Sequence, residues 1–357
     1  MVIKINKNIV LLFVLSIILL LGACQSIEQE PSYEGKTIAP IQADYPHWDF
    51  NNWKTYKKLV KINSFIEMNK GKGKIAVFDW DGTLYNENIS VKEMKNKKFA
   101  GQPAYYIWAA YNSKKLSFPL FPMFKTTDGN FVKNVINRDK YLEGRTNIHP
   151  DQYSKFTDTS IFTAGMSTKN MSASVAYYLD TYSPKKYAFL PMLDVLQKMV
   201  DSGFKVWIIT GSNQYFVAVM FNYIENNIIF NKNRKYDFKL CEVPYNAETG
   251  HIAGNGLKLL KDDIFSVVYD NRYVKNSEKK LYIVDDEGKV IAGNNIEKKE
   301  KSKIIFVAGN SGGDYFIMKH VSEQPGTLAI AVEPRGTLPE VVKEYPNKII
   351  TLDSNEI

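Results

Sequence analysis

Four apolar residues, Ile75-Ala76-Val77-Phe78, run directly into Asp79-Trp80-Asp81-Gly82-Thr83. A short, wholly apolar segment closed by a turn reads as a strand buried on both faces. That burial requires a parallel sheet with helices above and below it. Residues i and i+2 of an extended chain point the same way, so Asp79 and Asp81 face one pocket while Trp80 points elsewhere. Ligands of open α/β sheets sit beyond the carboxyl ends of the strands. Two carboxylates held there repel each other, and a divalent cation with oxygen ligands, Mg2+ above all, relieves the repulsion. A solvated Asp-Gly turn is the plainer alternative.

The rest of the chain tests that choice. Apolar residues recur at helical spacing from Trp48 to Met68, ahead of the first strand. Strand–helix alternation returns after Tyr187. "LPMLDVLQKMVDSGF" has Pro191 at a helix start and Gly203 at its stop. "KVWIITGS", "KIIFVAGNSGGD", "TLAIAVEP" and "NKIITLD" read as short buried strands, and "EVPYNAETGHIAGNG" as a hairpin. The expected fold is α/β, a doubly wound Rossmann-like parallel sheet. Residues 87–184 lack the alternation and are rich in aromatics and helical spacing, so they read as an inserted, mainly α-helical cap. The core is then 48–86 and 185–357.

The N-terminus is a separate matter. Lys4 and Lys7 precede an apolar run, Ile9 to Leu21, that is short for a permanent membrane span. It ends in Leu21-Gly22-Ala23-Cys24, which resembles a bacterial lipobox. Residues 1–23 are expected to be removed as a lipoprotein signal peptide. Cys24 would carry the lipid, and the polar, proline-bearing residues 24–47 would tether the domain to a membrane outside the cytoplasm, in the bacterial cell envelope. The formal charge of +8 would fall to 8 − 2 = +6 with the loss of Lys4 and Lys7. Basic and acidic residues are interleaved, so no nucleic-acid partner is expected, and no protein partner can be inferred. With Cys24 lipidated, the second of the two cysteines, Cys241, has no disulfide partner and is expected to be buried and inert.

Three later stretches add chemistry to the first. Thr210 follows "VWII" and precedes Gly211 and Ser212, a tight turn suited to phosphate oxygens. Asn310 and Asp314 sit in "GNSGGD" and offer oxygens to a cation. Lys289 in "DDEGKVI" supplies positive charge for a phosphoryl group. Each is weak alone. In this order they resemble the haloacid dehalogenase superfamily of phosphohydrolases over about residues 48–335. Motif one is Asp79 to Thr83, motif two Thr210, motif three Lys289 and motif four Gly309 to Asp314. The likeness is to the helical-cap branch that includes phosphoserine and phosphorylcholine phosphatase-like enzymes.

The resemblance implies that Asp79 attacks phosphorus and that Asp81 protonates the leaving oxygen, then activates water. Thr210 would bind a phosphoryl oxygen, and Lys289 would offset charge around Asp79. Mg2+ would be held by Asp79, the backbone carbonyl of Asp81 and Asn310, with Asp314 close by or acting through water. Asn310 stands where an Asp is common, and Gly312 where close relatives often have another Asp. Lys298, Lys299, Lys301 and Lys303 compete with Lys289 for the third motif. The expected function is Mg2+-dependent hydrolysis of a small phosphomonoester. Its alternatives are a non-catalytic lipoprotein binding a phosphorylated ligand, and a phosphotransferase using the same aspartyl-phosphate. Tyr105, Tyr106, Trp108, Tyr111, Phe118, Phe121 and Phe124 either build the lid's own core or face a cationic, phosphocholine-like leaving group.

Overall fold

The computed structural model describes residues 38–112, 163–232, 234–242, 245–270, 274–275, 280–281, 283–353 and 355–356. The apolar run Ile9–Leu21, Cys24, and Phe118, Phe121 and Phe124 lie outside them. The chain divides into two compact units, Met1–Ile41 and Gln42–Ile357. Among the described residues no helix is long and apolar enough to cross a membrane.

In chain order, helices α1 (Ile38–Asp44) and α2 (Trp53–Asn69) precede strand β1 (Ile75–Phe78). A hairpin, β2 (Ile89–Val91) and β3 (Lys97–Phe99), leads into α3 (Gly101–Asn112). Helices α4 (Thr168–Thr181), α5 (Pro184–Tyr187) and α6 (Leu190–Asp201) follow. Strand β4 (Lys205–Asn213) passes directly into α7 (Gln214–Asn227). Short strands β5 (Ile229–Asn231) and β6 (Arg234–Lys235) pair with each other. Next come β7 (Ile252–Asn255), the hairpin β8 (Leu257–Leu259) and β9 (Phe265–Tyr269), and the two-residue strands β10 (Val274–Lys275) and β11 (Lys280–Leu281). Helix α8 (Glu287–Glu300), β12 (Ile304–Gly309), α9 (Tyr315–Ser322), β13 (Leu328–Val332), α10 (Leu338–Glu344) and β14 (Ile349–Leu352) complete the chain.

Six strands form one sheet in the order β14-β13-β12-β1-β4-β7, and every pairing is parallel. This is the expected α/β Rossmann-like core. The strand centres are apolar because helices cover both faces. On one face Ile75, Val77, Trp207 and Val307 pack with Ala292 and Ile296 of α8 and Ile317, Met318 and Val321 of α9. On the other, the Phe306 ring lies 5.2 Å from Phe78 and 6.2 Å from Phe65 of α2. The chain leaves β1 toward β4 and β7, then returns to its other side for β12, β13 and β14. That reversal puts the switch point at the carboxyl end of β1, where parallel α/β sheets bind ligands.

Three expectations need correction. The tether does not extend to residue 47: Tyr45 is fully buried, and its hydroxyl donates to Asn63 Oδ1 at 3.1 Å. The His47 backbone N–H and ring both bond to the buried Asp194 carboxylate at 2.9 Å. The first helix begins at Trp53 and not at Trp48, because the Asn52 side chain caps it by accepting from Thr55 N–H. The inserted module opens with the β2–β3 hairpin ahead of its helices. Finally, the described residues between 242 and 256 form no hairpin. Tyr245 donates its hydroxyl to the Ile252 carbonyl at 2.6 Å, and buried Ile252 and Ala253 extend the parallel sheet beside Ile208 and Ile209. Cys241 lies outside any strand and is half-buried; burial pushes its thiol up to about 12, so it is inert as a nucleophile.

Candidate active site

Asp79 continues the sheet ladder past β1, its N–H donating to Ala308 O at 2.9 Å. The chain then folds back sharply. The Trp80 carbonyl accepts from Thr83, Leu84 and Tyr85 N–H at 3.0–3.3 Å, and the buried Trp80 ring stacks on Tyr85 at 5.1 Å. With Trp80 anchored inward, Asp79 and Asp81 are left beside each other at the strand end, only 6% and 4% exposed. The fold-back passes through Gly82 at φ +75°, and a β-carbon there would overlap the Asn310 carboxamide. Gly82→Ala therefore meets both strain and a clash. It is expected to destabilise the protein by about 2–4 kcal/mol, read as a lower urea midpoint, where a backbone strain alone costs about 1–3.

Lys289, in the first turn of α8, enters from the opposite side of the strand end. Its Nζ lies 2.7 Å from Asp79 Oδ1 and 2.6 Å from Asp314 Oδ1, and all three side chains are buried. Burial works against the ammonium, but the carboxylates of Asp314, Asp79 and Asp285 outweigh it and hold Lys289 well above its ordinary value. Burial first, and the Asp314 carboxylate second, push the Asp79 carboxyl well above the usual range; Lys289 opposes both. Of the competing lysines, Lys298 and Lys299 sit in the last turn of α8 and Lys301 caps it. Lys299 donates to Glu248 O and Lys303 pairs with Glu297.

Asp314 also orders the fourth motif. Its Oδ2 accepts from the backbone N–H groups of Asn310 at 3.0 Å and Ser311 at 3.1 Å, closing a tight turn after β12. Gly312 is closely packed, since a β-carbon there would lie 3.2 Å from Thr337 Oγ1. Among the described residues no three His, Cys, Asp or Glu side chains converge as a metal cluster. The oxygens present are mixed: the Asp79 carboxylate, the Asp81 backbone carbonyl and the Asn310 carboxamide. Asn310 is 3% exposed, and its Oδ1 has no hydrogen-bond partner among the described residues. A buried carbonyl left so costs about 1–3 kcal/mol, and a hard cation removes that cost. The residues therefore fit Mg2+, with Asp314 engaged by Lys289 and the backbone.

Thr210 is fully buried within β4, and its hydroxyl oxygen accepts from Ser212 N–H at 3.0 Å. Its one hydroxyl hydrogen is thereby left to donate elsewhere. Ser212 links Thr210 to the acid pair, its Oγ donating to Asp81 Oδ2 at 2.6 Å. Asn255 ties the same turn to the third motif, with Nδ2 on Gly211 O at 2.6 Å and Oδ1 accepting from Val284 N–H at 2.9 Å. Gln102 of α3 accepts from Asn213 N–H, linking the inserted module to the end of β4. Glu87 pairs with Arg335 and lies 3.4 Å from Asn310 Nδ2. The sequence reading singled out none of Ser212 as a partner of Asp81, Asn255, Gln102, Glu87 or Arg335. The i, i+2 spacing of Thr210 and Ser212 was the one available signal, the same spacing that pairs Asp79 with Asp81.

Three of the four described lid aromatics, Tyr105, Tyr106 and Trp108, are buried. Tyr105 stacks on Phe216 at 5.4 Å, Trp108 meets Tyr178 edge-on at 5.7 Å, and Tyr106 is fully buried. Tyr111 is 49% exposed. Tyr106 and Trp108 thus pack inside the protein, Tyr105 joins the module to α7, and Tyr111 lies on the surface.

No protein-family model and no curated protein sequence matches the chain. Among solved structures, a conserved protein of unknown function from Anaerococcus prevotii DSM 20548 is similar, with 15% identity and a TM-score of 0.50 over 83% of this chain and 91% of that one. A protein of unknown function from Bordetella pertussis Tohama I is 14% identical, with a TM-score of 0.47 over 78% and 97% of the two chains. A phosphoserine phosphatase bearing a phospho-aspartyl intermediate analogue is 13% identical, with a TM-score of 0.38 over 78% and 99%. At these identities the first shows a shared fold and nothing finer.

Proposed function

We propose that the chain is a phosphomonoester hydrolase working through an aspartyl-phosphate on Asp79. The observation that carries this reading is the buried contact of Lys289 with both Asp79 and Asp314 at the carboxyl end of the central strand. An ammonium held there keeps Asp79 available as a carboxylate and meets the charge of an arriving phosphoryl group. Asp79 attacks phosphorus and the ester oxygen leaves with a proton from Asp81; Asp81 then takes a proton from the water that hydrolyses the aspartyl-phosphate. Thr210 donates its hydroxyl hydrogen to a phosphoryl oxygen. Asp79, the Asp81 carbonyl and Asn310 Oδ1 would hold Mg2+, which when bound adds positive charge at the phosphoryl oxygens.

The substrate class is a small phosphorylated metabolite, because Asp79 and Asp81 lie almost wholly beneath the surface. Purified protein should hydrolyse members of a panel of phosphomonoesters with Mg2+, stop with EDTA and recover when Mg2+ is restored. Mg2+ should also raise the melting temperature of the ligand-free protein. Binding of a phosphate ester without turnover would replace this reading with that of a phospho-ligand-binding lipoprotein.

The same proposal places the enzyme on a membrane outside the cytoplasm through lipid on Cys24, supported by the Leu21-Gly22-Ala23-Cys24 run. Mass spectrometry of the membrane-extracted protein should show residues 1–23 absent and diacylglycerol on Cys24. An unmodified Cys24 would overturn the anchor.

A further inference from the structure

We propose that Ser212 is a positioning residue for Asp81, presenting the acid's proton to the leaving group; this rests on the phosphomonoesterase reading above. Ser212 is fully buried, and its hydroxyl donates to Asp81 Oδ2 at 2.6 Å. A hydroxyl has one hydrogen, so this bond commits it. With Oδ2 accepting from Ser212, the proton of the acid form rests on the other oxygen, Oδ1. That oxygen is buried against the start of α3, where a β-carbon on Gly101 would lie 3.7 Å from it and 3.3 Å from the Tyr85 ring. Glycine at that point keeps a side chain off Oδ1 on the side of α3.

The serine is held rigidly. Its N–H bonds to Thr210 Oγ1, Asn255 clasps the carbonyl of Gly211, and Asn213 N–H is held by Gln102. The β7 backbone packs so closely that a β-carbon on Gly254 would lie 2.7 Å from the Ser212 carbonyl. A donor fixed this firmly sets the plane of the Asp81 carboxyl group. In the step itself Asp79 bonds to phosphorus and the phosphorus–oxygen ester bond breaks. The departing electron pair takes the proton from Asp81 Oδ1, and Asp81 becomes a carboxylate that the Ser212 hydrogen bond stabilises.

Leaving-group dependence tests this. Glycerol phosphate expels an alkoxide that needs a proton, whereas p-nitrophenyl phosphate expels a stable phenolate that does not. The comparison uses kcat/KM, which reports transfer to Asp79 and not the later hydrolysis. Ser212→Ala should lower kcat/KM for glycerol phosphate by about 10–100-fold, part of the range general acids contribute, and for p-nitrophenyl phosphate by less than about threefold. Ser212→Cys, which fills the same space with a weak donor, should show the same selective loss. In an Asp81→Asn background, Ser212→Ala should add no further selectivity. Equal losses on both esters, full activity in Ser212→Cys, or additivity with Asp81→Asn would overturn the proposal. Wild-type protein that hydrolyses neither ester would overturn the phosphatase reading, and the proposal with it.

Discussion

Asp79→Asn protein is expected to lose phosphomonoester turnover by at least about four orders of magnitude while melting no lower than wild type. A carboxamide is too weak a nucleophile to displace an alkoxide from phosphorus, and the partners of Asp79 offer no replacement. Thr83 Oγ1, 3.4 Å from Asp79 Oδ2, is a neutral hydroxyl, and the carboxylate it donates to is the one removed. The fold should tolerate the change because the carbonyl of Asn still accepts from Lys289 at the position of Oδ1. Removing one carboxylate leaves Lys289 balanced by Asp314, 2.6 Å away. Burial already disfavours the charged form of Asp79, so its loss relieves a cost in the folded state. Steady-state kinetics and thermal melts of the same preparation check both halves. A variant that keeps more than about one hundredth of wild-type kcat would mean that Asp79 is not the nucleophile.

The first strand and its acids were legible because their signal is local. An apolar run, a two-residue spacing and a turn glycine all lie within Ile75 to Thr83. Five of the six parallel strands were legible for the same reason, since each is a short buried run, while β7 was read as part of a hairpin. The lysine was harder. Five candidates lie between residues 289 and 303, and only the start of α8 at Glu287 separates Lys289, at the switch point, from Lys298 and Lys299, one helix length away. Ser212 had a residue type but no partner in view, because Asp81 is 131 positions away in the chain. Asn255 was absorbed into a supposed hairpin; asparagine and glycine mark turns, and here they mark a close approach of two strands instead. The Glu87–Arg335 pair has no sequence pattern, being assembled by the return of the chain after β13. His47 illustrates the same limit at a boundary, since the Asp194 that holds it is 147 positions distant.

Lys289→Met should be the most damaging single change to the fold of the site, and its damage should depend on pH. The methionine matches the length of the lysine stem but leaves Asp79 and Asp314 buried without their ammonium. Breaking a buried ion pair by deleting one partner costs about 3–5 kcal/mol, because the remaining charge is uncompensated. Here two carboxylates are exposed to each other at once, with Asp285 adding to the same field. The folded-state value of Asp79, already above that of an unfolded chain at about 3.9, must rise further when Lys289 no longer opposes burial. An acid whose folded value is raised binds more protons in the native state, so its favourable contribution is complete below about pH 3.9. That contribution is lost as pH rises through the raised folded value. The stability gap between wild type and Lys289→Met should therefore widen from acid to neutral pH. Urea unfolding in EDTA at a series of pH values from about 4 to 8 measures it. A gap that stays constant across the series, or one under about 1 kcal/mol at pH 8, would mean that Lys289 does not balance the buried carboxylates.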